Sequence, residues 1–260
     1  MFPAAAVYAQ ARVRAIFGGR EGVEAALLLL LLMPALWVML EWLRGLLFTG
    51  FPWLVLGYTQ AAASPLAGYA PLLGVYGVSL AAAVSAGLLA VLWSERWNKQ
   101  GRIALAALAV LWIGGAALRG ITWTQPNGEP FSVALVQGNI AQELKFNQDA
   151  LVGTLETYRR LALQSDARLT VLPETALPLL RHEAPPAMLE QLRDHARRNG
   201  GDVLTGSFER DQGGYYNSVF SLGSADEQHY RKQHLVVFGE FIPLRPLLGW
   251  FINGVLDIPM

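Results

Sequence analysis

The sequence contains no cysteine, which excludes disulfides, thiolate metal sites and a cysteine nucleophile within these residues. It is also poor in charge. Asp, Glu, Lys and Arg make up 15% of it, where a soluble domain usually carries about 25%. Net charge is zero, so no basic stripe points to nucleic acid as a partner. The charge that exists is uneven. Residues 1–121 hold twelve charged side chains and residues 122–260 hold twenty-eight. All four histidines fall in the second half, and seven of the eight tryptophans lie at or before Trp123. Two solvents are implied, with a border near residue 122.

From Gly45 to Ser94 there are fifty residues without a charged side chain. A helix crossing a bilayer needs about 20 mainly apolar residues. Three spans are expected within residues 1–121, at about 23–43, 67–93 and 103–120. Between the first two, Gly45–Pro65 contains Phe51-Pro52-Trp53 and is broken by Gly and Pro. It reads as an interfacial or re-entrant stretch rather than a fourth helix. A signal peptide does not fit, because the apolar run starts late and two more follow. Arg12, Arg14 and Arg20 precede the first span, and Arg96, Lys99 and Arg102 fill the loop between the second and third. Lys and Arg bias places both clusters on the cytoplasmic side, which puts residues 122–260 on the opposite face. Glu41 and Arg44, three apart on one helix face, read either as an interfacial ion pair or as a lipid head-group contact.

Past residue 122 the periodicity changes. Phe131–Gln137 is rich in β-branched and apolar residues and reads as a buried strand. Gln148–Leu163 sets Leu151, Leu155, Tyr158 and Ala162 on one helical stripe. Leu169–Leu172 is a short apolar run, and Pro186–Asn199 is a polar helix closed by Gly200-Gly201. Asp202–Phe208 and Ser218–Leu222 read as strands around a Gly-rich turn at Gln212–Gly214. Alternating strands and helices give an α/β domain.

Three motifs carry the chemistry. In Val136-Gln137-Gly138-Asn139-Ile140 a strand ends in a polar turn. In Val171-Leu172-Pro173-Glu174-Thr175-Ala176 a carboxylate sits just past a strand, where a cleft can desolvate it for general-base work. The third runs Tyr230-Arg231-Lys232-Gln233-His234-Leu235 and continues Phe238-Gly239-Glu240-Phe241-Ile242-Pro243. Lys232 precedes an apolar stretch, and an ammonium held there can stabilise an oxyanion. Glu240 could orient it. No metal or nucleotide motif is present, so no cofactor is expected.

These motifs, with Leu43-Arg44-Gly45 and Thr49-Gly50-Phe51-Pro52-Trp53, closely resemble the bacterial apolipoprotein N-acyltransferase family, a branch of the nitrilase or carbon-nitrogen hydrolase superfamily. The resemblance runs from about Trp37 to Met260. It implies an α-helical transmembrane segment followed by an α/β nitrilase-like domain, an αββα sandwich, on the periplasmic side of the inner membrane. It also implies a Glu–Lys–Cys triad that takes an acyl chain from a phospholipid as a Cys thioester. The chain then passes to the N-terminal amine of a diacylglyceryl-cysteine lipoprotein. By resemblance Glu174 is the general base, Lys232 the oxyanion stabiliser and Glu240 a supporting acid. Phe146 falls where the family has an aromatic residue near substrate. The nucleophilic Cys is expected beyond Met260, so the chain is read as truncated at both ends and as inactive alone. The alternatives are a membrane-tethered amidase acting on a small amide, and a non-catalytic relic.

Overall fold

The computed structural model describes residues 2–16, 28–47, 50–61, 63–95, 98–237 and 239–241. The chain divides into two compact units, residues 127–233 and residues 1–126 together with 234–260.

The first unit is helical. Its elements are α1 (Phe2–Ile16), α2 (Met33–Arg44, entered through a wide turn at Leu28–Leu32), α3 (Ala70–Glu95) and α4 (Lys99–Arg119). Among the described residues two apolar stretches are long enough to cross a membrane, Pro65–Glu95 and Lys99–Arg119. The 21 residues of α4 rise about 31 Å, close to the thickness of a hydrocarbon core. Outward-facing Leu72, Leu73, Leu80, Leu89, Ile103, Val110 and Ile113 are exposed, so these helices lack the polar outer face of a water-soluble bundle. Polar side chains instead point inward. Trp112 Nε1 donates to Ser85 Oγ at 3.1 Å, and Tyr69 OH donates to the Leu111 carbonyl at 2.8 Å. A Cβ on Gly68 would lie 2.0 Å from the Gly115 carbonyl oxygen, so small residues let α4 approach the Pro65–Tyr69 turn closely.

Residues 23–27 of the first expected span, and Arg96 in the basic loop, lie outside the described residues. From Leu28 onward that span is helical to Arg44. Helix α1 was not anticipated, because Arg12 and Arg14 made that segment look like a flank rather than an element. In the stretch 45–65 there are only short turns among the described residues, including Leu56–Gln60. Phe51 and Trp53 stack at 5.8 Å on the surface there. Glu41 is buried at 7% exposure. Its Oε1 accepts from Trp37 Nε1 at 3.0 Å and from the Leu56 N–H at 2.8 Å. Among the described residues no ion pair joins it to Arg44, whose Nε and Nη2 have no hydrogen-bond partner. Glu41 fastens the irregular segment to α2.

The second unit is a five-stranded mixed sheet with strands in the order β1 (Val133–Leu135), β2 (Leu169–Val171), β3 (Asp202–Asp211), β4 (Gly214–Gly223) and β5 (His229–Arg231). The first three run parallel and the last three antiparallel. Parallel neighbours need crossovers, and α5 (Gln148–Leu163) and α6 (Pro186–Arg198) supply them. Asn147 caps α5 by accepting from the Asp149 N–H. Proline opens α6 at its first turn, where a missing N–H costs nothing.

Both helices contribute to one core. Leu155, Tyr158 and Ala162 of α5, and Met188, Leu192 and Ala196 of α6, cluster with Val203, Phe220 and Leu222 of the sheet. Pairing sets Val203 opposite Leu222, Thr205 opposite Phe220 and Ser207 opposite Ser218, and all six are buried. Their alternating neighbours Leu204, Phe208, Asn217 and Val219 face the other way and are only partly covered. Strand β1 is shorter than the expected Phe131–Gln137 and is not buried. Leu135 is 80% exposed, because β1 is an edge strand covered on one face only.

Candidate functional site

The site grows from a break in the pairing of β2 with β3. The Leu172 N–H donates to the Leu204 carbonyl at 2.8 Å, and the next ladder position, the Gly206 carbonyl, accepts from Leu177 at 3.0 Å. Pro173–Ala176 therefore leave the ladder as a loop opposite the single residue Thr205. The loop closes with the Ala176 N–H donating to the Pro173 carbonyl at 3.2 Å. Glu174 stands at its tip, and Thr175 carries φ of +56°, a left-handed backbone that β-branched residues rarely adopt. The Val136–Ile140 turn ends the neighbouring parallel strand, tied by a Val136 N–H donating to Val171. Two of the three motifs thus share the carboxyl end of the parallel strands, the usual place for a site in α/β sheets.

Lys232 arrives from the other side of the sheet. It follows β5 directly, and its N–H donates to the Asn217 carbonyl on β4 at 2.8 Å. Lys232 Nζ lies 3.0 Å from Glu174 Oε1. Asn217 Nδ2 donates to the same oxygen at 2.5 Å. Two residues 58 positions apart are brought together on the face opposite the helices. Their side chains are 57% exposed for Glu174 and 29% for Lys232. Among the described residues both contacts fall on Oε1, so Oε2 is the oxygen left to meet another group.

Strand β5 is clamped in place one residue before Lys232. Arg231 Nε donates to Glu209 Oε2 at 2.8 Å and its Nη1 to Asp211 Oδ2 at 2.5 Å. These two hydrogen bonds, Glu209 foremost, raise the Arg231 pKa. Hydrogen bonding from Arg231, and then from the Gly213 N–H, holds the Asp211 carboxyl below its usual range.

Phe146 packs its exposed ring against Phe208 at 6.2 Å. Phe208 lies one pleat beyond Gly206, so Phe146 shares the sheet face that carries the Glu174 loop. Glu240 belongs to the other unit, where its Oε2 accepts from the Val236 N–H at 2.7 Å. Phe238, Ile242 and Pro243 of the third motif lie outside the described residues. Sequence reading missed Asn217. A polar residue inside a strand was the available signal, but the register that sets it opposite Lys232 is not written in one sequence.

A cleft of about 470 Å³ lies on the opposite, helix-covered face, lined by Arg181, Arg193, Glu209, Phe220, Glu227 and Arg231 among others. Ion pairs fill it, with Arg181 bound to Glu227 and Arg231 to Glu209. It is separate from the Glu174–Lys232 contact. Among the described residues no His, Asp and Glu side chains gather into a metal site.

Comparison with known proteins finds two family models along the chain. Residues 1–88 match the family model of the apolipoprotein N-acyltransferase N-terminal domain, and residues 132–248 match the carbon-nitrogen hydrolase model. The chain is 50% identical over 231 residues to the apolipoprotein N-acyltransferase of Nitrosomonas europaea, covering 88% of this chain and 46% of that protein. It is 46% identical to the protein of the same name from Chromobacterium violaceum, over 89% of this chain and 45% of that one. With the protein of that name from Methylococcus capsulatus it shares 43% identity, over 89% and 46%. The chain spans about half the length of the curated relatives it matches.

Proposed function

The chain belongs to the apolipoprotein N-acyltransferase family, and from that premise we propose that Glu174 and Lys232 are the base and the oxyanion stabiliser of a lipoprotein N-acyltransferase. The observation that carries this reading is the 3.0 Å contact between Lys232 Nζ and Glu174 Oε1 on the sheet face left open by the helices.

The chemistry follows from the charges. Glu174 accepts the proton of a thiol, since only the thiolate attacks effectively. Asn217 and Lys232 hold Oε1, so Oε2 takes the proton. The thiolate adds to the carbonyl of a phospholipid acyl ester, and negative charge gathers on the carbonyl oxygen. The Lys232 ammonium stabilises that oxygen. Collapse breaks the ester C–O bond, and the lysophospholipid leaves as an alcohol with the proton returned by Glu174. The thioester so formed is attacked by the N-terminal amine of a diacylglyceryl-cysteine lipoprotein; the amine's proton passes through Glu174 to the departing thiol as the amide forms. Dividing one acyl transfer into two steps is ordinary covalent catalysis. The thiol is not among these 260 residues.

In this reading the open sheet face packs against a second sheet and helix layer, completing an αββα sandwich. Phe146 lies beside the acyl substrate, and Glu240 supports Lys232. The apolar helices cross the bacterial inner membrane, and the Arg and Lys clusters keep their loops cytoplasmic. The catalytic domain then lies on the periplasmic side.

The test replaces the matching segment of the Nitrosomonas europaea relative with the corresponding part of this chain, keeping the relative's unmatched residues, and supplies labelled phospholipid with a diacylglyceryl-cysteine peptide. The expected result is transfer by the chimera, none by the 260 residues alone, and loss of at least about 100-fold with Glu174→Gln or Lys232→Met. Undiminished transfer by either variant would overturn the assignment. Hydrolysis of small amides without lipid would instead favour an amidase.

A further inference from the structure

We propose that Gly206, a residue with no functional group, is the positioning residue that sets the distance between Glu174 and Lys232; the proposal rests on the reading of that pair as the site.

The Pro173–Ala176 loop passes directly over Gly206. Four residues stand opposite one residue of β3 where a regular ladder has one, so the loop must fold over the strand. Successive side chains point to opposite faces, and position 206 faces the loop rather than the helices. A Cβ built on Gly206 would lie 2.5 Å from Thr175 N, 3.0 Å from the Pro173 carbonyl oxygen and 3.1 Å from Glu174 Cα. All three are main-chain atoms of the loop that carries the carboxylate, and none can swing away as a side-chain tip could. Ordinary contact begins near 3.4 Å, so any side chain at 206 lifts the loop by roughly 0.9 Å from its present seat. The Gly206 carbonyl also accepts the Leu177 N–H that closes the loop at its far end. One glycine thus supplies both the clearance under Glu174 and the anchor beyond it.

The main chain of Lys232 does not depend on this loop. It is set by β5, the Arg231 clamp and the Asn217 carbonyl. Raising the loop therefore moves the carboxylate away from a Lys232 backbone that stays where it is. A 3.0 Å contact then opens toward 4 Å, and misplacement of about 1 Å in a reacting pair can cost about 100-fold.

The pair offers its own readout. A water-soluble carbodiimide converts the Glu174 carboxylate to an O-acylisourea. Lys232 Nζ attacks the activated carbonyl, an amide bond forms, and the urea leaves. Mass spectrometry then counts the 174–232 linkage. In the detergent-solubilised full chain we expect it in wild type, and a fall of about tenfold or more in Gly206→Ala. Gly153→Ala, at a position with open space around it, should retain the wild-type yield. So should Thr175→Gly, because glycine accepts the left-handed backbone freely.

If Gly206→Ala fails to fold, Gly206→Ala combined with Thr175→Gly frees the loop to move and should fold with low yield. A wild-type yield in either folded variant sinks the proposal. So does an equal loss in Thr175→Gly, which would place control in the loop rather than beneath it. Absence of the linkage in wild type would instead remove the Glu174–Lys232 pair itself.

Discussion

Replacing Lys232 by Met should leave the fold almost as stable as before, and that outcome separates a functional pair from a structural one. Two unit charges 3.0 Å apart attract by about 1.4 kcal/mol in water and about 5.5 kcal/mol at an effective dielectric of 20. Little of this survives as stability. Glu174 is more than half exposed and Lys232 nearly one-third exposed, and a pair so hydrated typically contributes about 0.2–1 kcal/mol. After the substitution Glu174 still accepts from Asn217 Nδ2 and still meets water, so no charge is stranded in an apolar interior. The expected loss is below about 1 kcal/mol.

Tryptophan fluorescence is blind to this question, because residues 127–233 contain no Trp. Hydrogen exchange followed by mass spectrometry on peptides from β3, β4 and α6 reports the right unit, as local opening free energies. A loss above about 2 kcal/mol across those peptides would show that Lys232 is a structural brace, and the catalytic argument would then lose its footing.

Two further outcomes follow from the same structure. Phe220, only 1% exposed between α6 and the sheet, should cost about 3–5 kcal/mol as Phe220→Ala; protection unchanged in β3 and β4 would contradict the core described here. Acid should loosen β5 through Asp211. Its carboxyl is held below the ordinary range by Arg231, so the stabilisation is complete above the unfolded-state value and fades as pH falls through the lower folded one. Protection of residues 229–231 should hold at neutral pH, decline below the ordinary carboxylate range, and decline less in Asp211→Asn, which has already lost the charge.

The legible parts of this molecule were those written locally. Helix α5 was visible from Leu155, Tyr158 and Ala162 on one stripe, α6 from its proline start and glycine stop, and the apolar helices from their lack of charge. Glu174 stood out because it sits just past a short strand, and Lys232 because it precedes an apolar stretch, each within a distinctive run. What escaped depends on pairing across the chain. Asn217 acquires its role only when β4 is set against β5, and Gly206 only when the Pro173–Ala176 loop folds over it. Strand β1 was read as buried from its composition, yet hydrophobicity does not say whether a strand ends up inside a sheet or at its edge. Helix α1 was lost for the opposite reason, its arginines outweighing an alanine-rich segment with good helix propensity.

The order of strands also has a temporal meaning. Strands β3, β4 and β5 follow one another through short hairpins, so Lys232 and Asn217 can meet early, at little cost in loop entropy. Glu174 joins them only after the α6 crossover has docked β2 beside β3, a contact of longer range and slower arrival. A nascent or partly folded chain therefore carries an ammonium without its carboxylate, and the proposed catalytic pair forms only once that crossover has closed.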